Sequence, residues 1–384
     1  MPRLWASAAI LLVTAVVALV THDTPVATAV ARAAEVGPVP VTARPTTPAP
    51  APAGPVVAPP TPAIRAAAEP AATPATLLPP ITLPVITLPV ITLPALTPAP
   101  APAPPPPPAA PSAPTTAGIS PYLGLGTWVD VYDWSLQFTN GKPTVTPPDV
   151  DRMAAAGVQT LYLQASKYDS PTDILEPDRL QAIIDRAHAR HLKVVVWYLP
   201  TLVDTATDLR RIKAVAALRH TDGIAIDIES RLEPDVRLRN SRLVELSRAI
   251  RRDLPGSTVA GIVLPPVVLE VVNTRFWPAF PYREIAPFYD VWMPMSYWSN
   301  RTAASGYRDA YRYTKENVDR LRNDLGLPDA RVHPIGGIAD RTSAADVEAF
   351  KRAVTAVHGI GGSIYDWQTT AAGLWSRLRP MRLR

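Results

Sequence analysis

The sequence predicts a (β/α)8 barrel over residues 119–384, preceded by a short export segment and a long proline-rich stalk. Three observations carry this. Short β-branched or aromatic runs alternate with helical patterns from Pro121 onward, which is the signature of a parallel sheet with crossover helices. There are eight such runs in a stretch of 266 residues, the size of one closed barrel. The composition also breaks near residue 118. Before it Pro, Ala, Thr and Val dominate; after it the mix is that of an ordinary folded domain.

At the N-terminus Arg3 precedes an apolar run from Leu4 to Val20, broken only by Ser7 and Thr14. Small-residue sites follow at Ala27-Thr28-Ala29 and Ala31-Arg32-Ala33. This is the layout of a signal peptide. The run is also near the lower length limit for a membrane-spanning helix, so a retained tether through residues 4–20 is the alternative to the favoured cleavage. In either case the rest of the chain is expected outside the cytoplasmic membrane, secreted or anchored to its outer face. We take 1–35 as this segment and 36–118 as the linker. The linker repeats Ile-Thr-Leu-Pro at Ile81, Ile86 and Ile91 and runs through Pro104 to Pro108. Proline fixes φ and removes a donor, so an extended polyproline-like spacer without a core is expected.

In the barrel the expected strands are Tyr122–Trp128, Val158–Gln164, Lys193–Leu199, Gly223–Glu229, Thr258–Leu264, Val291–Tyr297, Val332–Ile338 and Gly362–Trp367. The expected helices are Pro148–Ala156, Pro177–Arg190, Thr205–His220, Val236–Asp253, Ser305–Asp324 and Ser343–His358. The fifth crossover, Pro265 to Tyr289, is the least regular, with five prolines and several aromatics.

Several function classes lose support. The chain has no cysteine, which excludes disulfides, a thiolate nucleophile and Cys-ligated zinc. Its net charge is +5, scattered rather than clustered with aromatics, so no nucleic-acid partner is expected. No glycine-rich phosphate-binding motif opens a crossover, so no nucleotide cofactor is expected. No His cluster converges, so no metal is expected, and no cofactor of any kind. His188 and His191 read as surface residues. A monomer is the expected state.

In such a barrel the chemistry sits at the C-terminal strand ends. These present Trp128 and Asp130, Gln164, Tyr198, Asp227 and Glu229, Tyr297 and Trp298, and Tyr365 and Trp367. Acids with many aromatics suit sugars, whose C–H faces stack on rings while carboxyls bind hydroxyls and move protons. The fourth strand, Asp222-Gly223-Ile224-Ala225-Ile226-Asp227-Ile228-Glu229, is the most informative. Side chains alternate along a strand, so the isoleucines face the helices while Ala225, Asp227 and Glu229 face the barrel. Two carboxylates two residues apart on an inward face repel each other, and burial raises one pKa, leaving a general acid. The structural alternative is a pair that holds an Arg or Lys inside the barrel.

This segment resembles the family 18 glycoside hydrolases, chitinases and endo-β-N-acetylglucosaminidases, whose fourth strand reads D-G-x-D-x-D-x-E. Asp222, Gly223, Asp227 and Glu229 match, while Ala225 stands where the family has its middle Asp. Met293-Pro294-Met295-Ser296-Tyr297 resembles the family's M-x-Y segment, and Gly361 to Trp367 its last strand. The resemblance implies that Glu229 protonates the glycosidic oxygen and Asp227 orients the substrate's N-acetyl group. It further implies that Tyr297 donates to that group and Trp367 is the floor under the sugar. Trp128, Asp130, Gln164, Tyr198, Trp298 and Tyr365 are further substrate-binding candidates. The expected partner is an N-acetylhexosamine polysaccharide such as chitin or a cell-wall glycan.

Two other sugar readings stay open. A two-carboxylate mechanism would need a partner for Glu229, with Asp130, Asp133 and Asp366 as candidates. The pair Asp227 and Glu229 with Tyr365-Asp366-Trp367-Gln368 is also similar to the family 25 muramidases. Strict alternation places Asp366 on the face opposite Tyr365 and Trp367, and Trp292 opposite Met293 and Met295. The rival of another class is a catalytically inactive barrel that binds glycan or serves as a cell-surface module, with Ala225 a trace of lost chemistry.

Overall fold

A computed structural model describes residues 118–382. The signal or anchor segment and the proline-rich linker lie outside the described residues. Among those residues, no helix is long and apolar enough to cross a membrane.

Eight parallel strands form the sheet: β1 (Gly124–Val129), β2 (Thr160–Gln164), β3 (Lys193–Tyr198), β4 (Gly223–Ile228), β5 (Val259–Val263), β6 (Val291–Pro294), β7 (Ile335–Ile338) and β8 (Gly361–Tyr365). Their order, β6-β5-β4-β3-β2-β1-β8-β7, is that of a barrel read from the β6–β7 seam. Bridges Trp292↔Val332 and Met295↔Ile335 close the seam. His333 N–H donates to the Trp292 carbonyl at 2.9 Å and Ser296 N–H to the Ile335 carbonyl at 2.8 Å. The sheet is therefore the closed barrel that the alternation predicts.

The outer layer comprises α1 (Pro147–Ala156), α2 (Pro177–Ala189), α3 (Thr205–Ala216), α4 (Val236–Asp253), α5 (Tyr282–Ile285), α6 (Ala310–Leu325), α7 (Ala344–Ala356) and α8 (Ala372–Leu378). Their starts follow local chemistry. Asp235 accepts from Arg237 N and Leu238 N at the head of α4. Ser343 and Asp346 form a capping box on α7. Asp309 caps α6, so that helix begins at Ala310 rather than Ser305. The fifth crossover is irregular as expected, with a π-helical turn at Val268–Val272 and only the four-residue α5. The seventh strand begins three residues later than the apolar run, because Pro334 has no N–H to give the ladder.

Residues of the N-terminal turn, Ser120–Tyr122, plug the base of the barrel. The buried Tyr122 hydroxyl lies 2.8 Å from both the Ile224 and the Thr258 carbonyls. Gly223 is what lets it enter, since a Cβ there would lie 2.5 Å from that hydroxyl. Asp222 accepts from Val194 N–H at 2.8 Å and pairs with His188 and Lys193, tying β4 to β3. Asp222 and Gly223 thus anchor the lower end of β4, away from the mouth.

A polar chain crosses the interior above this plug. Trp128 Nε1–H donates to Ser363 Oγ at 2.8 Å, Ser363 Oγ is 3.1 Å from His333 Nε2, and His333 Nδ1 is 2.8 Å from the Tyr122 carbonyl. Burial pushes the His333 pKa down to about 4, so the ring is neutral. Its Nδ1–H then donates to Tyr122 and its Nε2 accepts from Ser363, leaving no member of the chain unpaired.

Candidate active site

The site grows from the upper end of β4. Register pairs Ala225 with Trp197 of β3 and Ala260 of β5, and Asp227 with Ile262. The three isoleucines, Ile224, Ile226 and Ile228, are buried under the helices. Asp227 is 7% exposed, and Glu229, one residue beyond the strand, is partly exposed. Among the described residues no salt bridge joins either carboxyl to a Lys, Arg or His. The pair is not a clamp for an internal cation.

Electrostatics follow from burial. It pushes Glu229 from its ordinary 4.5 up to about 7. Asp227 is also raised well above its ordinary value, by burial first and then by the charge of Glu229. Tyr297 leaves the turn after β6 and faces both. Its phenol is raised by burial and then by the charges of Glu229, Asp227 and Asp366, in that order. Glu229 therefore keeps its proton up to about neutral pH, and it is the more open of the two carboxyls to solvent.

Tyr365 connects this group to the opposite wall. Its ring lies 6.1 Å from that of Tyr297 and 6.2 Å from that of Trp128. Its hydroxyl donates to Asp130 Oδ2 at 2.6 Å. Trp128 is fully buried and stacks on Tyr162 with centroids 4.4 Å apart, so it backs Tyr365 rather than meeting solvent. Tyr365 itself is partly exposed, with Trp128 behind it.

Asp130, Asp133 and Asp366 bring carboxylate oxygens within 4.8 Å of one another beside Tyr365. Burial, then the charges of Asp130 and Asp366, pushes Asp133 up to about 9; burial, then Asp130, pushes Asp366 up to about 6. At least one oxygen of each is already engaged. Asp130 Oδ1 accepts from Tyr132 N–H at 2.8 Å, Asp133 Oδ2 from Asp130 N–H at 3.2 Å, and Asp366 Oδ1 from Thr369 N–H at 2.9 Å. The cluster reads as a proton-sharing cap on the first and last loops. It is also the only group among the described residues with acids close enough to suggest a cation.

Three sequence candidates lie elsewhere. Tyr198 is one position past the inward Trp197, so alternation turns it outward, where its hydroxyl donates to Asp208 Oδ1 at 2.9 Å. Trp298 is fully buried between β7 and α7, 5.4 Å from the Phe350 ring, and a Cβ on Gly337 would meet it at 2.8 Å. Trp367 follows the end of β8 and packs on Trp375 at 4.9 Å, beside a cleft of about 550 Å³ between α1 and α8. It lies in the outer layer, not under the Asp227–Glu229 pair. Asp366 is corrected in the other direction. The strand ends at Tyr365, so alternation no longer governs, and Asp366 turns toward Asp130.

Gln164 stands at the top of β2, where its Oε1 accepts from Val131 N–H at 3.1 Å and its carbonyl from Trp134 Nε1 at 3.0 Å. It holds the first loop and neighbours Trp197 in register. Trp197 itself was missed among the strand ends. The signal was available, since counting two positions from Val195 places it inward. Trp292 packs with Tyr289 at 5.2 Å on the outer face, as alternation requires.

No family model matches the sequence, and no curated protein matches it. Among solved structures, the C-terminal domain of a chitinase candidate from Desulfitobacterium hafniense superposes with a TM-score of 0.51 at 12% identity, covering 67% of this chain and 98% of that one. The Bacillus cereus spore cortex-lytic enzyme SleL superposes with a TM-score of 0.50 at 11% identity, covering 68% of this chain and 74% of that one. These likenesses show a shared barrel fold.

Proposed function

We propose that the barrel is an exported glycoside hydrolase of β-linked N-acetylhexosamine polysaccharide, chitin-like or peptidoglycan, with Glu229 as general acid. The observation that carries this is the Glu229 carboxyl itself. It is partly exposed at the barrel mouth, joined by no salt bridge among the described residues, and raised to about 7 beside Asp227 and Tyr297. A carboxylic acid that keeps its proton to neutral pH is suited to protonating a leaving oxygen.

In this reading Glu229 gives its proton to the glycosidic oxygen as the C1–O bond breaks. The carbonyl oxygen of the substrate's own acetamido group attacks the anomeric carbon, with Asp227 orienting the amide and Tyr297 donating its hydroxyl to it. Water then attacks the anomeric carbon, returning a proton to Glu229 and releasing the sugar. No second carboxylate is required as nucleophile. Tyr365, held by Asp130, supplies the ring face.

The barrel is shared with a chitinase candidate and a spore cortex-lytic enzyme, which supports a glycan substrate of this kind. Export rests on Arg3 and the Leu4–Val20 run. The second reading, an inactive glycan-binding barrel, is favoured by Ala225. The test is release of reducing ends from soluble N-acetylglucosamine oligomers and from peptidoglycan by the full chain. Turnover by the native protein that is lost in Glu229→Gln is expected. Saturable binding without turnover by the native protein selects the inactive barrel.

A further inference from the structure

Among the described residues, two buried polar atoms beside the proposed site have no hydrogen-bond partner: Trp197 Nε1 and Asp227 Oδ1. The first can only donate, and the second accepts. Their residues lie on neighbouring strands. Trp197 is the register partner of Ala225, and Asp227 is the next inward position on β4. Both side chains are more than nine-tenths buried, at 5% and 7% exposed. An unmet donor and an unmet acceptor are each costly in the interior, and one small polar molecule between them satisfies both.

Ala225, the register partner of Trp197 and the inward neighbour of Asp227 along β4, offers only a methyl to the space beside them. The other tryptophan nearby is already committed, because Trp128 Nε1–H donates to Ser363, with its ring 6.0 Å from that of Trp197. The groups that face Asp227 are Glu229 on its own strand and Tyr297 after β6, with the charge of Asp366 also reaching Tyr297. None of these donates to Asp227 Oδ1.

We propose that Trp197 is the positioning residue for Asp227: its indole N–H holds one water over the Ala225 methyl, and that water donates to Asp227 Oδ1. The water accepts one hydrogen bond and donates another, so no charge is created. The plane of the Asp227 carboxyl is fixed, and Oδ2 is left for the substrate. A bulky indole facing a methyl thus does what a carboxyl at position 225 would do directly. The proposal deepens the hydrolase reading and rests on it only for its kinetic consequence.

The test starts with the indole region of the proton–nitrogen spectrum of the full chain. The Trp197 signal is the one lost in Trp197→Phe, or, if that variant does not fold, the one with nuclear Overhauser contacts to the Trp128 ring. Across a pH titration this signal is expected to move as Asp227 changes its charge, and that movement to be lost in Asp227→Asn, which still accepts but no longer titrates, leaving only what Glu229 causes in both proteins. Kinetically, Trp197→Phe is expected to lower kcat by about tenfold with KM unchanged. Adding Ala225→Asp, which puts a carboxyl into the space the smaller ring vacates, is expected to restore part of that loss. A signal whose titration is the same in Asp227→Asn overturns the proposal. So does a folded double variant with no recovery. If the native protein turns over no glycan, the hydrolase reading fails, and the indole titration still decides the role of Trp197.

Discussion

At the scale of single residues, the site is defined by what burial does to carboxyls. Glu229 rises from 4.5 to about 7 in the folded chain. Glycan hydrolysis should therefore hold through mildly acid pH and fall as pH rises through about 7, when the acid loses its proton. A pH–rate profile of kcat checks this, and activity that already falls as pH rises through about 4.5 contradicts it. The same shift has a stability consequence. The folded state holds a proton that the unfolded chain releases between 4.5 and 7, so stability drops as pH rises across that window and stays lowered above it. Glu229→Gln removes the titration. It should raise stability at pH 8 by about 1–3 kcal/mol and make no difference at pH 4, as read by urea unfolding at the two pH values. Asp227 and Glu229 were legible in the sequence because a strand alternates and two inward acids have few structural uses. Asp366 was not, because alternation ends where the strand does, and no residue pattern marks that point.

At the scale of elements, β4 divides into a lower half that holds the barrel and an upper half that carries acids. Gly223 admits the Tyr122 ring, and a methyl there would lie 2.5 Å from its hydroxyl. Gly223→Ala should therefore cost about 1–3 kcal/mol of stability by overpacking, measured by urea unfolding, while Glu229 keeps its surroundings. The matched Asp222-Gly223 pair is thus a structural part of the motif. Strand β3 offers the opposite lesson. Tyr198 looks like a strand-end sugar contact, but its hydroxyl is bound to Asp208 outside the barrel. Tyr198→Phe should cost about 1 kcal/mol of stability and leave glycan turnover within about twofold. Trp197, one residue earlier, faces the site. Counting inward positions strand by strand would have exchanged the two, whereas choosing aromatics by their nearness to the strand end did not.

At the scale of the whole molecule, eight runs of strand character and a composition break were enough to read a closed parallel barrel. The period-2 and helical patterns are local, and the closure follows from their number. The placement of aromatics was less legible, since it depends on which loop turns in. Trp298 and Trp367 lie in the outer layer rather than at the mouth, and Tyr365 stands there with Trp128 behind it. The central claim is that this mouth uses Glu229 to protonate a leaving group, and leaving-group dependence tests that role most directly. The measurement compares the full chain with Glu229→Gln on an N-acetylglucosamine oligosaccharide and on an aryl glycoside of the same sugar whose phenol is acidic enough to leave unprotonated. The account predicts a loss of about 10²–10⁴-fold on the oligosaccharide and a much smaller loss on the aryl glycoside. Equal losses on both substrates, or none on either, would contradict it.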